Sequence, residues 1–477
     1  MRSSMKGATG KARRVAASTG IMIALLAGCV GPGGEPEEEE AATEEPTEEP
    51  TDEASAEDTE TEAEAEPAAA PDCGTDDVVL NAVFETGFEL PNALAEEFTN
   101  QHPNVTFDIS QDQFNNLITS SPRLLSGENP PDLIRLPTMV SLVQDGLLKN
   151  LDEYASAFGW DEWPDAQLSQ NRVAEDGTRG SGSLYAMGLN SSLTGVFYNR
   201  ELAEQIGMDE PPATVEEFDA ALAAAADAGL QPIMQWNATA SGGGLAFPLQ
   251  HLMASYGEPT PINEWIFQQP GATIDTESNL QAAEHLQGWI EAGYFPEDAN
   301  ALEYTDANAR FRAGEAVFIF NGDWENASYN SEMGENVGFF VFPPLEEGGP
   351  LRAMSSPLTF GIAADAPNAD CAAYFFDWVA TNETAREINV EIGGSNPGGP
   401  TDLPIPPAEE GSVTNETLEA GGEVAADNGQ MDFIANATGS IFAEGWTPAL
   451  QEMIGGRQDA AGLLETVQAE YESQVQD

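Results

Sequence analysis

The sequence has few of the side chains that most often catalyse reactions or bind transition metals. Its 477 residues include three histidines and three cysteines. The histidines, His102, His251 and His285, have no neighbours at the spacing of a metal site. Motifs of zinc peptidases, serine hydrolases and nucleotide-binding loops are also absent. No sequence feature therefore supports an enzyme or a metal centre, and we predict no cofactor.

Positive charge is scarce as well. The sequence has 16 Lys and Arg against 82 Asp and Glu, which gives a formal net charge of −66. General electrostatic attraction to nucleic acid or to an anionic membrane surface needs basic patches, so this composition excludes both. The hydrophobic fraction of 41% is enough for a folded protein, and the length favours two domains over one.

The N-terminal region carries an export signal. Five basic residues precede an apolar run over residues 15–30, which is too short to span a bilayer comfortably and predicts a signal peptide over residues 1–28. The run ends in Leu26-Ala27-Gly28-Cys29, which resembles the lipobox of bacterial lipoproteins. This resemblance implies that Cys29 is lipidated and that the protein is anchored on the outer face of the cell membrane.

Residues 29–72 are predicted to form a disordered acidic tether. Residues 35–66 contain 17 acidic residues, no basic one and almost nothing apolar larger than alanine. Charge repulsion and the lack of apolar surface leave this segment unable to form a core. The folded region is therefore expected to begin near Cys73.

Residues 73–477 alternate between strand-like and helix-like segments. Helices of ten or more residues between strands indicate an α/β fold with largely parallel sheets. Thr214 is a predicted helix N-cap, and Glu217 three residues later completes a capping box. The predicted strands are 77–84, 105–109, 133–136, 232–235 and 316–321, and the predicted helices are 92–100, 214–229, 282–293 and 369–380.

Two cysteines remain after Cys29. Cys73 and Cys371 form an even pair in a protein predicted to be exported, which suggests a disulfide. The alternative is a pair of buried free thiols. A bridge would enclose most of the folded region and would stabilise it by about 4–5 kcal/mol through the lost entropy of the unfolded chain.

Two tryptophans follow predicted strands, where an α/β sheet places its ligand-binding loops. Trp236 and Asn237 come directly after one strand, and Asp323 and Trp324 follow another. A tryptophan beside amide and carboxylate groups offers a stacking face with hydrogen-bonding groups around it, which complements a sugar ring. We therefore predict that these residues bind a ligand; the alternative for the tryptophans is packing between lobes.

Six short segments of the folded region resemble, in order and spacing, the pattern of a known family. They are 96–105, 127–133 (GENPPDL), 184–187 (LYAM), 196–202, 207–218 and 311–324. The pattern is that of the extracellular carbohydrate-binding proteins of bacterial ABC importers, family 1 of the solute-binding proteins, which are similar to maltose-binding protein. The resemblance covers nearly all of the folded region.

The resemblance implies a two-lobed periplasmic-binding-protein-like fold of type II, whose α/β lobes are joined by hinge strands and close over a ligand in the cleft. The N-terminal lobe would comprise residues 73–190 and 343–394. The C-terminal lobe would comprise residues 191–342 and 395–477. On this layout Cys73 and Cys371 lie in the same lobe, which favours the disulfide.

The resemblance also implies a set of ligand-binding positions. They are Glu85, Asp112, Thr138, Asp323 and Trp324, with Trp236, Asn237 and Ser356 in addition. Members of the family often carry Trp or Asp after the first strand, whereas this chain has Phe84-Glu85-Thr86-Gly87 there. The identity of the sugar therefore does not follow from the resemblance.

The sequence thus predicts a non-enzymatic, monomeric receptor that captures a mono- or oligosaccharide and delivers it to the membrane permease of an ABC importer. An organic cation such as a polyamine is an alternative ligand, since negative charge and tryptophans suit it. A surface-anchored glycoside hydrolase is a second alternative and would need two carboxylates roughly 5–10 Å apart in the cleft. A third is an adhesion or sensor lipoprotein whose ligand is not transported.

Overall fold

The computed structural model describes residues 70–475 apart from 88, 240 and 241, and these residues belong to one compact unit. The predicted signal peptide, Cys29 and almost all of the predicted tether lie outside the described residues. Within the described part of the chain, no helix has both the length and the apolar character needed to cross a membrane.

The described chain contains both strands and helices along its whole length. The strands are β1 (Val78–Glu85), β2 (Val105–Asp112), β3 (Leu133–Arg135), β4 (Arg172–Val173), β5 (Ser183–Leu184), β6 (Ala186–Asn199), β7 (Gln231–Ile233), β8 (Ala316–Gly322), β9 (Val337–Phe340), β10 (Ala353–Gly361) and β11 (Gln430–Met431). The helices are α1 (Leu90–Gln101), α2 (Phe114–Leu125), α3 (Val140–Gln144), α4 (Asp152–Phe158), α5 (Asp165–Leu168), α6 (Arg200–Gln205), α7 (Val215–Asp227), α8 (Ala246–Tyr256), α9 (Pro259–Ile266), α10 (Glu277–Glu291), α11 (Tyr304–Arg312), α12 (Asn326–Met333), α13 (Ala369–Thr381), α14 (Glu383–Glu391), α15 (Val413–Ala426), α16 (Thr447–Ile454) and α17 (Ala460–Val475). Every predicted strand and helix is confirmed to within a few residues.

The predicted start of α7 shows how local chemistry sets a helix boundary. The Thr214 hydroxyl accepts a hydrogen bond from the Glu217 backbone N–H at 3.2 Å. The Glu217 carboxylate accepts one from the Ala213 backbone N–H at 2.7 Å, one residue further back than a capping box predicts. Both interactions satisfy backbone donors near the first turn of the helix.

The main sheet is mixed, so the prediction of largely parallel sheets is wrong. The strand order is β2-β1-β3-β10-β6-β8-β7. Strand β1 is parallel to β2 and β3, and β7 is parallel to β8. The long strands β6 and β10 instead pair antiparallel with each other, and β10 also pairs antiparallel with β3 and β6 with β8. They lie side by side in the middle of the strand order.

The fold is a two-lobed α/β fold, and its buried hydrophobic side chains form one large cluster and two smaller ones, the smallest of which draws on residues between Val83 and Ala186 together with Ala363. The other smaller cluster draws on residues between Leu80 and Leu189 and between Leu358 and Ala385. The larger cluster draws on residues between Leu193 and Met354 and between Val413 and Tyr471. The chain therefore changes cluster within β6, within β10 and again after α14. The lobe boundaries at 190, 342 and 394 stay predictions.

The chain before β1 is linked covalently to α13. Cys73 and Cys371 form a disulfide between positions 298 residues apart in the sequence. Cys371 is buried among the side chains of the smaller cluster that includes Leu80, and Cys73 packs against the same cluster. The bridge thus fastens the first described residues to the N-terminal lobe.

Candidate functional site

Three predicted ligand-binding residues lie at the carboxyl ends of the first three strands. Glu85 is the last residue of β1 and pairs in register with Asp112, the last residue of β2. Thr138 follows the end of β3 by three residues. Because these strands are parallel, their ends share one edge of the sheet, which is where ligands bind in open α/β sheets.

Glu85 is held by an arginine that sequence reasoning missed. The Arg135 Nε donates to the Glu85 carboxylate at 3.2 Å, and Arg135 Nη1 donates to the Leu136 carbonyl at 2.8 Å. Burial raises the pKa of Glu85, and the charge of Arg135 opposes that shift. Arg135 is the last residue of β3, so its position at the end of a predicted strand could have marked it as a candidate site residue.

Two predicted residues, Thr138 and Ser356, line the same small cavity. Arg135, Gln170, Arg179 and Asn436 also contribute to its wall. Leu136 and Met139, on either side of Thr138, pack in the N-terminal lobe, whereas Ile434 and Ala435, next to Asn436, pack in the larger cluster. The cavity therefore lies where the two lobes meet, and we refer to it as the cleft cavity.

The cleft cavity has polar atoms that the protein does not satisfy. Arg179 Nε and Gln170 Oε1 are buried, and within the described residues neither has a hydrogen-bond partner. A buried polar atom without a partner is costly and uncommon, so each such atom requires an explanation. The two side chains that carry this donor and this acceptor line one cavity, and a ligand hydroxyl group could pair with either of them.

A polar network (Arg179, Ser356, Asp432 and Asn436) joins the two lobes beside the cavity. Arg179 Nη2 donates to Asp432 Oδ2 at 2.8 Å, and both side chains are buried. Asp432 Oδ1 accepts from the Ser356 hydroxyl at 3.1 Å and from Asn436 Nδ2 at 2.7 Å. The hydroxyl of Ser356 is thus already paired with Asp432, a residue that no sequence motif indicated.

The larger lobe contributes an aromatic cluster made of Trp236, Phe247, Tyr304, Trp324 and Phe433. The ring of Phe247 lies 5.4 Å from Trp236, 6.2 Å from Trp324 and 5.0 Å from Phe433 between centroids. Trp324 Nε1 donates to the Tyr304 hydroxyl at 2.9 Å. Trp324 is only partly buried, whereas Trp236 is 2% exposed and meets Tyr304 edge-on at 4.7 Å.

The aromatic cluster and the polar network meet at consecutive residues. Asp432 belongs to the network and Phe433 to the cluster. Direct contacts therefore connect predicted residues of the two lobes. Ser356 contacts Asp432, the neighbouring Phe433 contacts Phe247, and Phe247 contacts Trp324. An aromatic cluster and a set of hydrogen-bonding groups are thereby joined by direct contacts.

The remaining predicted residues are engaged in the protein's own hydrogen bonds and do not line the cleft cavity. Asp323 Oδ2 accepts from the Leu193 backbone N–H at 3.0 Å, and burial raises its pKa well above the usual value. Asn237 Nδ2 donates to Asn300 Oδ1 at 2.8 Å. Asp112 Oδ1 accepts from Asn116 at 2.8 Å in the first turn of α2. Their roles in ligand binding stay predictions.

Metal binding has no support in the part of the chain that the structure describes. Those residues contain no group of three His, Cys, Asp or Glu side chains that could hold a metal ion.

The two-lobed fold described above is shared with a known family of proteins. Residues 85–386, more than half of the chain, match the family of bacterial extracellular solute-binding proteins. The chain belongs to this family, which is a family of binding proteins. No curated protein matches the sequence.

Solved structures of sugar-binding proteins share the fold. A chitin oligosaccharide binding protein aligns with a TM-score of 0.68 and 18% identity, over 84% of this chain and 100% of its own. Maltose-bound MalE3 of T. maritima aligns with a TM-score of 0.66 and 16% identity, over 83% and 99% of the two chains. RafE in complex with raffinose aligns with a TM-score of 0.62 and 16% identity, over 83% of this chain and 100% of its own.

Proposed function

We propose that this protein is the substrate-binding lipoprotein of an ABC importer, which captures a mono- or oligosaccharide between its lobes and delivers it to the membrane permease. The observation that carries the proposal is the cleft cavity, where Arg179 Nε and Gln170 Oε1 are buried without a partner in the described structure. Membership of the solute-binding family and a fold shared with proteins that bind chitin oligosaccharides, maltose and raffinose support it.

In this proposal each side of the cleft recognises a different part of the ligand. The apolar face of a sugar ring stacks on Trp324, which is the partly buried tryptophan of the aromatic cluster. Ligand hydroxyls accept a hydrogen bond from Arg179 Nε, donate one to Gln170 Oε1 and pair with Thr138. The fit is to a neutral polyhydroxylated ligand, because the charges of Arg135 and Arg179 are already balanced by carboxylates.

Ligand contacts to both lobes favour the closed form. The strands β6 and β10 connect the lobes, so they are the segments about which the lobes would rotate. A ligand that touches both sides binds the closed form more tightly than the open form and shifts the population toward it. The closed form then docks on the permease as a monomer.

Anchoring through lipid is the second part of the proposal. Lipid chains on Cys29 would hold the protein at the outer face of the membrane, and the acidic segment 29–72 would let the folded region reach the permease. Expression of Cys29→Ser in a bacterial host is expected to release the protein into the medium. Retention of this variant in the membrane fraction would contradict lipidation at this position.

A thermal-shift screen tests the ligand class. The panel contains mono- and oligosaccharides together with polyamines, since a ligand that binds the native state raises the melting temperature. We expect at least one saccharide to raise it in the wild type and to raise it by less in Trp324→Ala, with circular dichroism confirming that the variant is folded. A response to polyamines alone would favour a cationic ligand, and hydrolysis of the bound glycoside would favour the hydrolase alternative.

A further inference from the structure

The indole ring of Trp324 is held in one orientation by its neighbours. Its Nε1 donates a hydrogen bond to the Tyr304 hydroxyl at 2.9 Å. Its six-membered ring lies against the backbone of Gly322, the last residue of β8, where a Cβ atom would overlap the ring carbons Cζ3, Cε3 and Cη2. Glycine is therefore required here for the indole ring to lie so close to the end of the strand.

The Tyr304 side chain is itself oriented by its surroundings. Its hydroxyl donates to the Glu325 carboxylate, which lies 3.7 Å from Arg312 Nη1. Because the hydroxyl proton points to Glu325, the oxygen presents a lone pair to Trp324 Nε1. Burial and then the negative charge of Glu325 raise the pKa of Tyr304 well above its usual value, so the hydroxyl keeps its proton. The tyrosine ring also meets Trp236 edge-on at 4.7 Å.

These contacts order the indole ring before a ligand arrives. Trp324 is partly exposed although it is hydrogen-bonded and packed, so part of the ordered ring is accessible to a ligand. A rotatable side chain loses conformational entropy when a ligand orders it, and this cost lowers the affinity. A tryptophan that the protein has already ordered avoids that cost.

We propose that Tyr304 is a positioning residue of the saccharide site, which fixes the plane of the Trp324 indole ring so that the ring stacks on a sugar without being reordered. Tyr304 acts through Trp324, and Glu325 sets the direction of the hydroxyl proton. Naming a saccharide as the ligand rests on the proposed function, whereas the fixed indole ring is a property of the protein alone.

Tyr304→Phe tests this role, because it removes the hydroxyl and keeps the ring that contacts Trp236. In two-dimensional NMR of the ligand-free protein, the indole N–H of Trp324 is identified by its absence from the spectrum of Trp324→Ala. In Tyr304→Phe we expect this resonance to shift and its hydrogen exchange to become faster, because the N–H loses its acceptor. Calorimetric titration should show saccharide affinity falling by about two- to tenfold, the cost of ordering one side chain.

Tyr329→Phe is the matched control. The Tyr329 hydroxyl also accepts from a nitrogen, Asn321 Nδ2 at 3.2 Å, and donates to an oxygen, Asn308 Oδ1. Its loss removes hydrogen bonds of the same kind, so we expect lower stability in unfolding curves with an unchanged Trp324 resonance and unchanged saccharide affinity. Equal losses of affinity in the two tyrosine variants would contradict a positioning role.

Gly322→Ala displaces the indole ring without removing a side-chain hydrogen bond. The alanine Cβ would overlap the ring, so we expect the Trp324 resonance to shift and saccharide affinity to fall in this variant as well. Absence of saccharide binding in the wild type would contradict the proposed function itself. An unchanged indole resonance in Tyr304→Phe would overturn the positioning role whether or not a saccharide binds, and unchanged affinity in that variant would overturn it while the saccharide function stands.

Discussion

The two sides of the cleft are built from different kinds of contact. On the polar side, Arg179 and Asp432 meet although they are 253 residues apart in the sequence. On the aromatic side, Trp236 and Trp324 each follow a strand that the sequence pattern reveals. The aromatic side depends on local sequence signals, whereas the polar side depends on long-range pairing. The two tryptophans could be predicted from their positions after strands, whereas the pairing of Arg179 with Asp432 could not.

Removal of Asp432 should have the largest effect on the polar side. Asp432→Ala leaves Arg179 buried without its counter-ion and removes the acceptor of Ser356. Loss of one partner of a buried ion pair destabilises a protein by about 3–5 kcal/mol, which denaturant unfolding would measure. The matched control is Asp298→Ala, which removes an exposed carboxylate from the partly exposed Arg310, with an expected loss below about 1 kcal/mol. Equal losses in both variants would contradict the role given to the network.

Substitutions of the two tryptophans in the aromatic cluster should have different effects on stability and on ligand binding. Trp236→Ala removes a buried side chain and is expected to destabilise the fold by about 3–5 kcal/mol. Trp324→Ala removes a partly buried one, and we expect a smaller loss of about 1–2 kcal/mol. Its affinity for the saccharide should instead fall about tenfold, equivalent to about 1.4 kcal/mol. Unfolding curves would measure the losses of stability, and calorimetric titration would measure the affinity. A larger loss of stability in Trp324→Ala together with a larger loss of affinity in Trp236→Ala would contradict these roles.

A third test uses His251 in the larger lobe and measures how the stability of the fold depends on pH. It is buried with no hydrogen-bond partner for either ring nitrogen among the described residues, and burial lowers its pKa to about 3. Below its usual pKa of about 6.5 the unfolded chain takes up a proton that the folded chain does not. Stability is therefore lost as the pH falls from 6.5 towards 3, by up to about 1.4 kcal/mol per pH unit.

Comparison with His251→Phe isolates this effect. The rings of Phe320 and Phe342 lie 5.8 and 6.0 Å from the His251 ring, so a phenylalanine has apolar neighbours there. Burial raises the pKa of Glu85 and of Asp323, which acts in the opposite direction, and the difference between the two proteins cancels that contribution. Unfolding at several pH values should give the variant the shallower slope; equal slopes would mean that His251 does not titrate as described.

The sequence predicted local features of the fold well and the site only in part. Strand and helix positions followed from hydrophobic spacing and from caps such as Thr214, because those signals lie within a few residues of one another. The mixed sheet was missed because hydrophobic spacing does not report strand direction. Gln170, Arg179 and Asp432 were missed because their significance comes from tertiary contacts, and the burial of Trp236 was not visible from its position after a strand.

One saccharide is expected to contact both sides of the cleft, and calorimetric titration of two variants tests this most directly. Thr138→Val removes a hydroxyl from the polar side, and Trp324→Ala removes the stacking surface from the aromatic side. With the saccharide found by thermal shift, we expect both variants to bind more weakly than the wild type. The exposed control Thr401→Val should bind like the wild type. Unchanged affinity in either cleft variant would contradict a ligand held between the two sides.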